Sequence, residues 1–177
     1  MPNEIYEATK RAMDNALKFC IEKTDLENRE SFMEARLRGD CSVCEYFRYG
    51  LAKGVAEFLG TMDKKAKAIY VYDTLEASPT LDNRMPEKLN LSSGVHLIVW
   101  TTRKSPALNA LVDSITNTVA KELEQISCPH ANALCHQIDI AVVDDHEVNN
   151  RIGYGSLIHS LYVRPIEIWH REPELTH

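Results

Sequence analysis

The chain reads as an α+β protein in which three N-terminal helices pack with a mixed sheet of about four strands, and that sheet contains a strand-helix-strand crossover. Three observations predict this. Apolar residues recur at three- and four-residue spacing through residues 1–62. Short runs rich in β-branched residues follow from Ala66 onward. Between Gly94 and Asp145, two such runs flank a long amphipathic stretch, GVHLIVWTTRK and CHQIDIAVVDD on either side of SPALNALVDSITNTVAKELEQI. A strand, crossover helix and strand of this length close as a parallel pair.

Asn3 to Lys23 places Ile5, Ala8, Ala12, Met13, Ala16, Leu17 and Cys20 on one helical face, with Glu4, Lys10, Arg11, Asp14 and Lys18 elsewhere. Thr24-Asp25-Leu26-Glu27 fits a capping box, in which hydroxyl and carboxylate each accept an orphan N–H at the start of a second helix. That helix carries Leu26, Met33 and Leu37 inside, and Gly39 can supply its left-handed cap. So thin a stripe predicts a mobile arm or a face completed by a partner chain. Asp40 can cap a third helix from Cys41 to about Leu59, with Val43, Phe47, Leu51, Val55, Phe58 and Met62 along one side. Gly50 and Gly54 leave it a flat flank for close packing, at about 1 kcal/mol of helix propensity each. Gly60 is expected to end it.

Ala66 to Tyr72 is the first strand and Val95 to Thr101 the second. The connection from Thr74 to Ser93 holds Pro79, Asp82, Asn83 and Pro86, and connections of that length are uncommon unless they bind something or are loose. Ser105 stands where an N-cap belongs and Pro106 at the first helical position, where its missing N–H costs nothing. Leu108, Leu111, Val112, Ile115, Val119, Leu123 and Ile126 then face a sheet, while Asn109, Asp113, Thr116, Lys121 and Glu124 face water. Ile138, Ile140 and Val142 alternate with Asp139, Ala141 and Val143 in a third strand that ends at Asp144-Asp145. Beyond it HEVNN suggests a helical turn, Gly153-Tyr154-Gly155 a flexible break, and Leu161 to Trp169 a last strand. Pro165 removes a ladder donor there, which places that strand at an edge or on a bulge. No repeat or linker divides the chain, so residues 1–62 and 63–177 are expected to form the helical and sheet parts of one domain.

At 177 residues and 44% hydrophobic, the chain can bury one sizeable core. A net charge of −6, spread along the sequence, argues against nucleic acid or an anionic membrane as partner. No apolar run approaches the roughly 20 residues a membrane helix needs, and MPNEIYEATK lacks the features of a secretory leader, so a cytoplasmic location is expected. Five cysteines without such a leader predict free or metal-bound thiols rather than a disulfide framework.

Four groups of residues can carry chemistry. Cys41 and Cys44, three apart at a helix start, can hold a metal or cycle between dithiol and disulfide, since a helix N-terminus favours the thiolate. With Cys128, His130, Cys135 and His136 they supply the sulfur and imidazole donors of a structural zinc site. Asp139, Asp144, Asp145 and His146, with Glu147, lie on or beyond a parallel strand, where open α/β sheets place ligands, and can hold Mg²⁺ or act as acid and base. Asp144 with Glu147 serves equally well as a capping box. Thr102, Arg103, Lys104 and Ser105, between strand and helix, can converge on an anion, and His159, Arg164, Tyr154 and Tyr162 can line the same rim. There is no nucleophile elbow, paired metal-protease histidine motif or phosphate-binding loop. The first expectation is therefore a cytosolic binding or interaction protein for a small molecule or protein, with a structural zinc and a tendency to homodimerise. The alternatives are a small Mg²⁺-dependent enzyme acting on an anionic or phosphorylated substrate, and a thiol redox protein using Cys41 and Cys44.

Overall fold

A computed structural model describes residues 2–38, 40–72, 95–126, 138–161 and 165–172. In chain order the elements are α1 (Pro2–Thr24), α2 (Arg29–Leu37), α3 (Cys41–Met62), β1 (Ala66–Val71), β2 (Val95–Thr101), α4 (Pro106–Ile126), β3 (Ile138–Asp144), α5 (Asp145–Asn149), α6 (Gly155–Ile158) and β4 (Ile166–His170). The fold is the expected α+β arrangement. Among the described residues four strands lie in the order β3-β2-β1-β4, with β2 and β3 parallel and the other pairs antiparallel. Pro106 opens α4 as expected, and the Ser105 hydroxyl accepts the N–H of Leu108 at 3.1 Å.

One face of the sheet carries the main core. Ile69, Val95, Leu97, Val99, Ile138 and Ile140 meet Leu51, Val55 and Leu59 of α3 and Leu108, Val112, Ile115 and Val119 of α4. The helix α1 packs against both α3 and α4. The flat flank of α3 is used as its glycines suggest: a Cβ on Gly50 would stand 2.9 Å from the Cα of Ala16, and one on Gly54 2.8 Å from the Cβ of Ala12. The opposite face of the sheet carries a smaller cluster of Tyr72, Ile98, Val143 and Val148, flanked by Tyr70, Trp100, Leu157 and Ile158.

Four local expectations are corrected. Thr24 does not open α2. It closes α1, its hydroxyl donating to the Cys20 carbonyl at 2.6 Å, and Asp25 takes a left-handed φ of 53° so that Leu26 N–H reaches Ile21 O at 3.3 Å. The cap of α2 is Asn28, whose Oδ1 accepts Ser31 N–H while Ser31 Oγ accepts Asn28 N–H. Nor is α2 thinly attached, because Phe32 and Ala35 are buried and the Phe32 ring stands 5.3 Å from that of Phe47. Gly39 lies outside the described residues.

The third correction concerns α3, which runs through Gly60 to Met62 and is capped by Asp63, whose N–H reaches Leu59 O. Gly60 is glycine for space: a Cβ there would stand 2.2 Å from the Trp169 indole. At the start of α3 the expectation holds, with Asp40 Oδ1 accepting the N–H groups of Ser42 and Val43. The fourth correction is β4, which begins at Ile166, after Pro165. It lies at the sheet edge, and its register against β1 shifts between Ile69 and Tyr70. Within the expected break, Gly153 has a φ of +51°, while Gly155 is buried as the first residue of α6.

Candidate functional site

Two ends of the sheet gather polar residues. At the carboxyl end of the parallel pair, Thr101 pairs in register with Asp144. Asp144 and Glu147 form the capping box that opens α5. Asp145 accepts two bonds from Lys67 Nζ, at 2.7 and 2.8 Å, and one from Trp100 Nε1 at 2.8 Å. The Lys67 hydrogen bond, then Trp100 and the lysine charge, hold its carboxyl below the usual range. Lys104 Nζ meets both Glu147 oxygens, at 2.7 and 2.6 Å. The acids and cations expected here are thus brought together, but on one another. Lys104 and Ser105 are spent on protein partners, while Thr102, Arg103 and His146 are exposed. Lys67 and Trp100 are the residues that sequence reasoning missed, because they lie 78 and 45 residues from Asp145 and no spacing rule links them.

Asp139 does not join that group. It sits near the other end of β3, about 17 Å from Asp144 at roughly 3.3 Å per residue. There the parallel register sets it beside His96 of β2. The carboxylate Oδ2 stands 3.7 Å from His96 Nδ1, with the two side chains 55% and 19% exposed. Nδ1 itself is buried and has no hydrogen-bond partner among the described residues. The Tyr72 ring packs 5.4 Å from the imidazole and 5.9 Å from the ring of Tyr154, which is 45% exposed. Burial pushes the Tyr72 phenol well above the ordinary tyrosine range, helped by its hydrogen bond to Tyr154 and by electrostatic repulsion from Tyr154 and Asp139. On the same face Tyr70 bonds to Glu167, and burial followed by that carboxylate pushes its phenol up to about 12. Both phenols are therefore neutral near pH 7, available as donor and acceptor. The advance signals for this cluster are Asp139, a charge among the apolar residues of β3, and Tyr154, expected on the rim beside Thr102 to Ser105 but found against Tyr72. His96 and Tyr72 gave none, since a single ring in a strand fits any half-buried sheet.

Cys41 opens α3 and Cys44 lies one turn on, half-buried. Cys128, His130, Cys135 and His136 lie outside the described residues, as do residues 74–93, Tyr162 and Arg164. Among the described residues no three His, Cys, Asp or Glu side chains converge as a metal site, which includes the acids proposed for Mg²⁺. Cys20, placed in the core by its spacing, donates its thiol to Val43 O at 3.2 Å, and burial raises its pKa. His159 stands edge-on to Trp100, at 6.3 Å between ring centroids. Among the described residues no helix is long and apolar enough to cross a membrane. The chain matches no protein-family model, no curated protein and no solved structure.

Proposed function

We propose that the chain is a cytosolic binding protein and that its ligand site is the cluster of Tyr72, His96, Asp139 and Tyr154. The observation that carries this is His96 Nδ1, buried beside a half-exposed carboxylate without a hydrogen bond among the described residues. Leaving a buried polar atom unpaired costs about 1–3 kcal/mol, a cost that a ligand completing the bond would recover. The rest of the rim has the same character: aromatic walls with a few fixed polar atoms, which is how small-molecule sites are built. The charges at the far end, by contrast, already neutralise one another, which weighs for this end as the binding site. A fragment screen read by NMR of the intact chain tests the proposal. Binders should move the ring resonances of His96, Tyr72 and Tyr154, and His96→Phe should abolish those shifts. Fragments that bind only elsewhere, or none that bind, would refute it.

Two further parts of the proposal have their own tests. A structural zinc drawn from Cys41, Cys44, Cys128, His130, Cys135 and His136 is supported by the first two sharing the opening turn of α3. Elemental analysis of protein purified without chelator should find zinc, and a metal-free folded protein would remove this part. Homodimerisation rests on the surface ring cluster of Phe19, Tyr46 and Tyr49 on α1 and α3, in which Phe19 lies 6.0 Å from each tyrosine ring. Sedimentation over a range of concentrations should show a dimer, and a monomer throughout would exclude it.

A further inference from the structure

We infer that the group recognised at the Tyr72, His96, Asp139 and Tyr154 cluster is an organic ammonium, an inference that rests on the cluster being a ligand site. The polar atoms there are predominantly acceptors. Asp139 offers a carboxylate, and the His96 imidazole can offer a ring nitrogen as acceptor. The two phenols offer oxygens as well as the one O–H not used between them. His96 Nδ1 and Asp139 Oδ2 stand 3.7 Å apart, too far for a direct hydrogen bond and close enough for one N–H-bearing group to serve both. Among the described residues no lysine or arginine pairs with Asp139, whereas at the opposite end Lys67 and Lys104 each have a carboxylate.

The walls suit the same ligand. Tyr154, backed by the buried Tyr72 ring, presents a π-system whose negative face attracts cations. An anion would meet Asp139 and, on the same face, Glu167, in a chain of net charge −6. A hard divalent cation fits less well, because it needs six or more oxygen ligands and no third acidic or imidazole side chain converges here among the described residues. An ammonium needs only one carboxylate, one or two neutral acceptors and a ring face.

The test is an NMR titration of the intact chain with n-butylammonium, and with n-butanol as the neutral analogue of similar size. Butylammonium should shift the His96 and Tyr154 ring resonances saturably and bind about tenfold or more tightly than butanol, as expected when a charge-assisted bond is lost. Asp139→Asn should reduce butylammonium affinity by a similar factor and leave the melting temperature close to that of the parent, since Asp139 is largely exposed. Added salt should weaken the ammonium and leave the alcohol unchanged. If both compounds shift the cluster equally and Asp139→Asn changes neither, the ammonium assignment is wrong while the site stands. If neither shifts it and the fragment screen also leaves it untouched, both fall.

Discussion

Replacing Gly60 by alanine should destabilise the protein although alanine is the better helix former. The added Cβ would stand 2.2, 2.3 and 2.6 Å from Cε2, Cζ2 and Cδ2 of Trp169. Carbon atoms in contact sit at about 3.5–4.0 Å, so the indole must retreat by more than about 1 Å. It has little room to do so. Trp169 pairs with Ile69 in the sheet, and the guanidinium of Arg171 lies 5.3 Å from its ring. Arg171 in turn donates to the carbonyls of Ala66, Gly60 and Asp63 at 2.9, 2.8 and 3.0 Å, fastening the end of α3 to β1 and to the chain beyond β4. Overpacking of this kind costs about 1–3 kcal/mol, against at most about 1 kcal/mol gained in helix propensity. The net loss should appear in urea unfolding followed by circular dichroism, at roughly 2–4 °C of melting temperature per kcal/mol for a chain of this size. The sign should reverse when the ring is absent: in a Trp169→Val background, Gly60→Ala should be neutral or stabilising by up to about 1 kcal/mol. Equal effects in the two backgrounds, or stabilisation in the parent, would refute the steric argument.

Gly54→Ala should cost about 1–3 kcal/mol in the same assay, because its Cβ would meet Ala12 at 2.8 Å from Cβ and 3.1 Å from the backbone Cα, and separating α1 from α3 is the only relief. Asp145 has a depressed carboxyl pKa, so its contribution is present above the unfolded value near 3.9 and is lost as pH falls through the lower folded value. Asp145→Asn should therefore flatten the acid limb of the stability curve below about pH 4, by at most about 1 kcal/mol because Lys67 and Asp145 are 40% and 36% exposed. Tyr70 has the opposite linkage. Its stabilisation is complete below the unfolded value near 10 and disappears as pH rises through about 12. Tyr70→Phe should thus reduce the loss of stability between about pH 10 and 12, and ultraviolet titration of the parent should lose one late-ionising phenol in the variant.

The elements of the fold were legible where side chains act within a few residues of themselves. Ser105-Pro106 announces α4 because capping needs only the next turn, and the Ile138-Ile140-Val142 alternation marks β3 because a half-buried strand repeats every second residue. Boundaries were misplaced where two local solutions compete. Thr24 has the chemistry of an N-cap, yet its hydroxyl closes the preceding helix once Asp25 turns left-handed. Gly60 has the chemistry of a stop, and only the distant Trp169 shows why it is glycine. The candidate site was legible through two members, Asp139 and Tyr154, each expected in other company. Its neighbours His96 and Tyr72 come from separate strands, and only the parallel register of β2 on β3, with β1 alongside, makes them a group. The carboxyl-end charges were recognised but their meaning was not, since the lysine that neutralises Asp145 and the indole that bonds to it come from β1 and β2.

The placement of β4 at the sheet edge decides what a shortened chain would expose. A chain cut after Ile158 keeps the residues of α1 to α6 and of three strands, but leaves the hydrogen-bonding edge of β1 bare and the notch over Gly60 vacant. A shortened product lacking Trp169 and Arg171 should therefore be aggregation-prone.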